Sequence, residues 1–448
     1  MKKNTKEYHL ESVVLDSERL NIPVELRNVT SDIDVYEHLD KPYLTASLTI
    51  VDSHRIFEKA DLLGGERISI RIKSTRKQSK AITNNFYIKK IIYDKKSNDN
   101  EQVLTFHLVE DIAFVSNLQN VNKSYTGKIS DIIEKVSRDY LDVDFKITGE
   151  DKQNVKVIVP NLNPIETIKW LNQRATTIKG YPFYCFSTMA FKGIYMVDLG
   201  SMLEQPPLNP HIPYRYDSIS ASSKDEDTRR RVIKAYKFSH DAEDLSKVIG
   251  KGLIGAKYNF LDTFQDYSGQ KSFDFDIVED VVKPISDDGL LKDQPNFPFS
   301  SSYEVEGLPF NKFQSETISM IRSSGGYRES EELERTKTYG EAYETSDYKL
   351  EIISRAMDNM LKKSILTVVM PGLDFIDGDK HATIGNKIRV EIPQSQADVK
   401  KSTKKLDSKK SGNYIIYAVR HQFKKEKYDA VLTLVKMGNL RRWYQQDI

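Results

Sequence analysis

Cysteine is almost missing from this chain: Cys185 is the single one in 448 residues. One thiol excludes an internal disulfide framework and any all-cysteine zinc site within a chain. Its setting, Tyr181-Pro182-Phe183-Tyr184-Cys185-Phe186, predicts a buried small hydrophobe there. Long apolar runs are absent too, none approaching the ~18–20 residues that cross a bilayer, so no stable membrane insertion is expected. Met1 to Glu7 is basic but leads into Tyr8-His9-Leu10-Glu11-Ser12 instead of an apolar segment, which argues against a secretory signal. Assembly in a reducing cytoplasm is the expectation. Net charge is also nearly nil, with 67 Lys+Arg against 65 Asp+Glu. That balance gives no general attraction to nucleic acid or membrane surfaces.

Catalytic signatures are equally scarce. The eight histidines include no H-x-x-x-H or H-E-x-x-H pairing, there is no G-x-S-x-G elbow, and no P-loop occurs. Gly250-Lys251-Gly252-Leu253-Ile254-Gly255 fits the letter of a dinucleotide fingerprint but lacks the preceding buried strand and the following helix, so a glycine-rich turn is expected. Asp374-Phe375-Ile376-Asp377-Gly378-Asp379-Lys380-His381 is the one tight acidic cluster beside a histidine. Its spacing fails a calcium loop, and a solvated turn is expected. Two basic clusters, Arg229-Arg230-Arg231 and the lysines 400, 401, 404, 405, 409 and 410, could meet phosphates but read better as solvated tips. No residue receives a catalytic, cofactor-binding or metal-binding role, and no cofactor is implied.

What the chain does have is 39% hydrophobic and 10% aromatic residues over a length suited to two to four domains of ~100–200 residues. Period-two alternation marks a β block near each end. In the first, Leu44 to Ile50, Ile68 to Ile72, Phe86 to Tyr93 and Val103 to Val109 read as half-buried strands. The second repeats that order. Leu366-Thr367-Val368-Val369 matches Leu48-Thr49-Ile50-Val51. Gly385 to Ile392 matches Gly65 to Ile72, and Asn413 to Val419 matches Asn85 to Ile91. Val431 to Val435 closes the block against Val103 to His107. The spacings agree: Leu48 to Gly65 is 17 positions and Leu366 to Gly385 is 19, while Phe86 to Val103 and Tyr414 to Val431 are both 17. Only the loop before the third matched strand differs much, 21 positions against 29, as a surface connection tolerates.

Between the blocks the pattern turns partly helical. Ile129, Ile132, Ile133 and Val136 fit one helix face, Asn163-Pro164 opens a second helix, and Ile352 to Leu361 forms a third. Phe183 to Phe186 and Ile194 to Leu199 predict a hairpin around Lys192-Gly193. Pro206 to Pro213 reads as a connector and Lys283 to Leu308 as a loop-heavy stretch. Val232 to Phe238 is expected to supply the first strand of the second β unit. The resulting division is 1–115 for a first β-barrel domain, 116–212 with 246–345 for an α+β insert, 213–245 with 346–438 for a second barrel, and 439–448 for a tail. The fold class is α+β, mainly β.

The order and texture of these segments resemble the central baseplate hub proteins of contractile-tailed, T4-like phages, and the hub part of type VI secretion spike proteins. The resemblance rests on Gly64-Gly65-Glu66-Arg67-Ile68; on Phe106-His107-Leu108-Val109-Glu110 leading to Lys123-Ser124-Tyr125-Thr126-Gly127-Lys128-Ile129; and on Asn163-Pro164 with Ile168-Lys169-Trp170-Leu171 and Arg174-Ala175. It continues through Ser411 to Ile416, Val419-Arg420-His421-Gln422-Phe423 and Tyr428 to Leu434. It runs from about 20 to 438, with 283–343 matching poorly. It implies two similar antiparallel β-barrel tube domains per chain and a homotrimer closing into a pseudo-sixfold ring. Such a ring joins a threefold central spike, with its tail lysozyme, to a sixfold tail tube or tube initiator. Baseplate wedge proteins would be further neighbours, and tape-measure protein and DNA passing cargo. The implied location is the virion tail baseplate, assembled in the host cytoplasm. A cell-wall hydrolase and a type VI-like spike component are the alternative readings. The C-terminal Trp443 and Tyr444 suggest a docking peptide.

Overall fold

The computed structural model describes residues 6–437 apart from 20–21, 53–54, 56–58, 60, 76–78, 94–101, 153, 217–229, 240–244, 263–270, 291–303, 306–307, 310–316, 323–347, 377–380 and 395–405. Arg229, the lysines at 400, 401, 404 and 405, and the tail 439–448 therefore lie outside the described residues, as do Asp377 to Lys380.

The architecture is α+β and mainly β, dominated by one 13-stranded, largely antiparallel sheet. Its N-terminal strands are β1 (Tyr8–Asp16), β2 (Thr30–His38), β3 (Thr45–Asp52), β4 (Arg67–Ser74), β5 (Ile82–Tyr93) and β6 (Gln102–Glu110). Its C-terminal strands are β7 (Tyr214–Arg215), β8 (Ala235–Ser239), β9 (Ile365–Pro371), β10 (Lys387–Glu391), β11 (Gly412–Lys424) and β12 (Lys427–Val435). The two-residue strand Val24–Glu25 completes the sheet beside β1. The neighbour order is β2-β3-β6-β5-β4-β1 in the first set and β8-β9-β12-β11-β10-β7 in the second. Each strand of the second set thus has the same neighbours as the strand six numbers earlier. Val232 to Phe238 contributes β8, which pairs antiparallel with β9 as expected.

Register repeats as well as order. Leu48 faces Phe106 and Thr49 faces Thr105 across β3·β6; Leu366 faces Leu434 and Thr367 faces Thr433 across β9·β12. Ile68 faces Phe86 in β4·β5, and Ile388 faces Tyr414 in β10·β11. The glycine that opens the shorter strand makes the same bond in both sets. The Gly65 N–H donates to the Ile88 carbonyl at 2.8 Å, and the Gly385 N–H to the Ile416 carbonyl at 2.9 Å. Both glycines have positive φ, 89° and 78°, a conformation a Cβ penalises. A bulge follows Ile88 in one set and Ile416 in the other. Alternation drives all of this. In β3, Ala46, Leu48 and Ile50 are buried; in β9, Leu366, Val368 and Met370 are. Each large apolar side chain so placed stabilises the fold by about 1.5–3 kcal/mol.

The elements between the two sets are α1 (Ile129–Leu141), α2 (Pro164–Asn172) and, immediately before β9, α3 (Tyr348–Lys363). Asn163 caps α2 through a reciprocal box: its side chain accepts from the Glu166 amide at 2.9 Å, and the Glu166 carboxylate accepts from the Asn163 amide at 3.4 Å. The hairpin pairs Phe183–Thr188 with Phe191–Asp198 and turns at Met189-Ala190, three residues before the expected Lys192-Gly193. Lys192 and Gly193 continue the second strand because Gly193 pairs with Asp144 on a third strand. Lys283–Asp287 is helical instead of loop, since Val281, Val282 and Ile285 bury one face of that turn.

Three buried clusters hold the molecule. One fills the first set of strands, and a second gathers α1, α2 and part of the hairpin. The third joins the second set of strands with α3 and with Leu253 to Ile285. Core packing therefore groups the described part of 246–290 with the second strand set, whereas the sequence division counts it with 116–212.

Candidate functional site

The two strand sets meet edge to edge. β2 pairs antiparallel with the C-terminal half of β11, from Ala418 opposite His38 to Lys424 opposite Asp32. The N-terminal half of the same β11 edge is taken by β10, so one long strand bridges both sets. On the outer face of this seam Arg420 meets Asp34 at 3.0 Å and Lys424 meets Asp32 at 3.2 Å. These pairs are partly exposed, so each contributes about 0–1 kcal/mol.

The inner face is different. Glu37 lies in line with the apolar Ile33 and Val35, fully buried. Its carboxylate accepts from the Met189 amide at 2.7 Å, and His421 Nε2 stands 3.5 Å away. The other ring nitrogen, His421 Nδ1, is 2.7 Å from the Tyr428 hydroxyl, and Phe423 stacks on Tyr428 at 4.6 Å. Burial pushes the Glu37 pKa up, but His421, the Met189 amide and Thr383 together hold it below the ordinary carboxylate value. Glu37 therefore remains ionised, clamping β2, β11 and the hairpin turn at one point.

A cleft of about 690 Å³ opens beside the seam, between α2, the hairpin and α3. Asp40, at the end of β2, accepts from the Tyr417 hydroxyl and from Lys362 Nζ at 3.3 Å. Lys362 also reaches Asp358 at 2.8 Å, and the Tyr184 hydroxyl donates to Asp358 at 2.8 Å. Burial alone would lower the Lys362 pKa, yet Asp358 and Asp40 raise it above the usual lysine value. The ammonium thus braces α3 against both strand sets. Burial lowers the His38 pKa, so its imidazole is neutral near pH 7.

Chemically, these arrangements tie elements together. Cys185 lines the cleft, but burial pushes its thiol pKa far up and the Sγ donates to Asn172 Oδ1 at 3.3 Å; a protonated thiol is no nucleophile. Gly250 ends a helix, Leu245–Gly250, and Gly255 begins a strand, Gly255–Asp262, the reverse of a dinucleotide turn. Asp374 accepts from the Tyr214 hydroxyl at 3.1 Å and faces Arg231 at 3.6 Å. His381 Nε2 bonds the Ile384 carbonyl at 2.7 Å and packs on Tyr195. Lys410 pairs with Asp407 at 3.0 Å. Among the described residues no cluster of three or more potential metal ligands stands together, and no helix is long and apolar enough to cross a membrane.

The residues missed in sequence are acids on apolar faces. Glu37 follows Ile33 and Val35 by strict alternation, and Glu110 follows Leu104, Phe106 and Leu108. An acid in register with a core stripe was the available signal. Glu110 accepts from the Leu44 amide at 2.7 Å, and burial pushes its pKa up to about 8.

No protein-family model matches the chain, and no curated protein is similar to it in sequence. Solved structures do share its fold. A tail protein from Neisseria meningitidis MC58 superposes with a TM-score of 0.54 at 10% identity, covering 96% of each chain. The 43 kDa tail protein of prophage MuSo2 from Shewanella oneidensis gives 0.50 at 8% identity, covering 95% of this chain and 98% of that one. An E. coli component of the type VI secretion system, described as similar to phage T4 tail proteins, gives 0.44 at 10% identity over 96% and 76%. The two of these that reach a TM-score of 0.50 are tail proteins. At such identities the first two establish a shared fold, and the third adds no weight.

Proposed function

We propose that this chain is a non-enzymatic structural hub of a contractile phage tail. In this reading it is a homotrimer that joins a threefold central spike to a sixfold tail tube and lines the channel through which DNA passes. One observation carries the reading: a single chain holds two strand sets with the same neighbour order and matching register, joined edge to edge. Two such units per chain and three chains about one axis supply six near-equivalent positions, which resolves a threefold-to-sixfold mismatch. The fold shared with two phage tail proteins supports the same reading.

The proposed division treats each strand set as a barrel-like tube domain, with 116–212 and 246–345 as the outer hub portion and 439–448 as a docking tail. Spike, tube or tube initiator and wedge proteins are the proposed partners, and the virion baseplate the location. The near-zero net charge suits a passage that must let a polyanion slide without capture. Native mass measurement tests the reading. A trimer is expected; a monomer at every concentration, even with spike and tube partners added, would overturn it. A turbidity assay on bacterial cell walls, expected to show no clearing, separates it from the hydrolase alternative.

A further inference from the structure

Two helices gather charge on one face each by spacing alone. In α2, Lys169 and Gln173 are four apart; in α3, Arg355, Asp358 and Lys362 follow at intervals of three and four. Such intervals stack side chains along one side of a helix. Both faces line the cleft of about 690 Å³ beside the seam, and Lys41, just after β2, lines it too.

Four cations thus meet two acids there, in a chain whose overall charge is close to nil. The acids are already engaged. Lys362 reaches both Asp40 and Asp358, and the Tyr417 and Tyr184 hydroxyls donate to the same two carboxylates. The other three cations are not. Among the described residues Lys41 and Lys169 have no acid within 4.0 Å, and Arg355 has only Glu351, at 4.0 Å. Lys41 and Arg355 are exposed and Lys169 is half-buried. A neighbouring group feels their field. Burial first, then Lys41, Lys362 and Lys169, lower the His38 pKa against the opposing Asp40. Neutral His38 accepts from the Asp40 amide at Nδ1, 3.2 Å away, so its proton sits on Nε2 and adds a donor to the cleft wall.

We infer that this cleft is a docking site for an acidic peptide segment of a partner protein, with Lys41, Lys169 and Arg355 receiving its carboxylates. The three cations stand on three separate elements, so they match several carboxylates spaced along a chain better than one compact anion. The volume lies in the range that encloses an organic ligand, not a lone ion. Asp40 and Asp358 stand among the cations and would repel a continuous phosphate backbone, whereas the carboxylates of a peptide can be placed clear of both. The site does not rest on the trimeric reading: a monomer that binds acidic peptide would uphold the site and overturn the trimer.

Fluorescence anisotropy of a labelled hexaglutamate peptide on the full chain tests this, with hexaglutamine, inorganic phosphate and a single-stranded DNA oligonucleotide as the other arms. Hexaglutamate should bind and lose affinity as salt rises, because screening shortens the reach of exposed charges; hexaglutamine should not bind. Lys41→Ala combined with Lys169→Ala should weaken hexaglutamate about tenfold with an unchanged circular dichroism spectrum, because neither side chain belongs to the core. Lys135→Ala combined with Lys427→Ala removes the same charge from exposed positions outside the cleft and should change binding less than about twofold. A folded chain that does not bind hexaglutamate, or equal losses in the two double variants, would overturn the inference. DNA or phosphate bound as tightly as hexaglutamate would also overturn it, since the cleft would then hold anions of any kind. If the first double variant fails to fold, Arg355→Ala, at an exposed position of α3, decides: weaker hexaglutamate binding is expected, and an unchanged affinity would overturn the inference.

Discussion

The two strand sets share register but not connectivity, and the contrast shows which features of a sheet are constrained. In the first set β2 reaches β3 through Leu39 to Leu44; in the second, β8 reaches β9 only after the excursion from 240 to 364. Loop-closure entropy rises slowly with length, so a long insertion there costs little once strands flank it. Register has no such freedom, because a one-residue slip turns every core side chain to solvent. Where the sets do differ, they differ by two residues. Ile88 faces Leu108 in β5·β6, whereas its counterpart Ile416 faces Leu434, the counterpart of Phe106. An even shift leaves the buried face buried. The first strands differ more: β1 runs antiparallel to β4, but β7 runs parallel to β10.

The seam should be the most sensitive point of that comparison. Glu37→Ala strands His421 and the Met189 amide in a dry interior and should cost about 3–5 kcal/mol, read from the denaturant midpoint. A cost under 1 kcal/mol would mean that strand pairing alone maintains the junction. Equivalence of the sets is tested next by Leu104→Ala and Leu432→Ala, both fully buried and at matched positions. Each should lose about 2–5 kcal/mol. Losses differing by more than 2 kcal/mol would show that matched strand order does not bring matched packing.

Two buried acids respond oppositely to pH. Glu110, with a folded pKa of about 8 against an ordinary 4.5, keeps a proton in the native state that the unfolded chain has lost. Stability therefore falls as pH rises from 4.5 through 8. Glu110→Gln should remove the fall, matching the parent near pH 4.5 and exceeding it by about 2–4 kcal/mol at pH 9 in thermal melts. Glu37 has a lowered pKa, so its contribution is present above 4.5 and lost as pH falls below that value. The difference lies in partners: the same burial acts on both, but Glu37 collects His421, Thr383 and an amide, and Glu110 chiefly one amide. The smallest effect separates the paired glycines. Gly65→Ala should cost about 1–2 kcal/mol through its positive φ alone, since no atom stands within 4 Å of the new methyl. Gly385→Ala should cost more, because Phe186 Cζ lies 3.0 Å from that methyl. Equal midpoints for the two variants would contradict this.

Much of the fold was legible because it is local. The four matched segments are strands, α2 begins at its Asn163-Pro164 signal, and Gly250 to Gly255 is a turn. β1 and β2 escaped notice because their apolar stripes are broken, by a bulge between Leu10 and Ser12 in one and by the charge of Glu37 in the other. The charge in β2 is the part of most consequence. An acid on a core face reads locally as a defect, and only its meeting with His421, Tyr428 and the Met189 amide explains it.

Composition and alternation by themselves settled that this chain folds mainly as sheet and that two distant stretches follow one plan, because side-chain period and glycine turns act over a few residues. Tertiary structure decided the rest. That β11 reaches across to β2, and that Glu37 is ionised while Glu110 holds its proton, both depend on contacts between residues far apart in sequence. Pairing partners and burial are properties of three-dimensional packing, and no window of a few residues contains them.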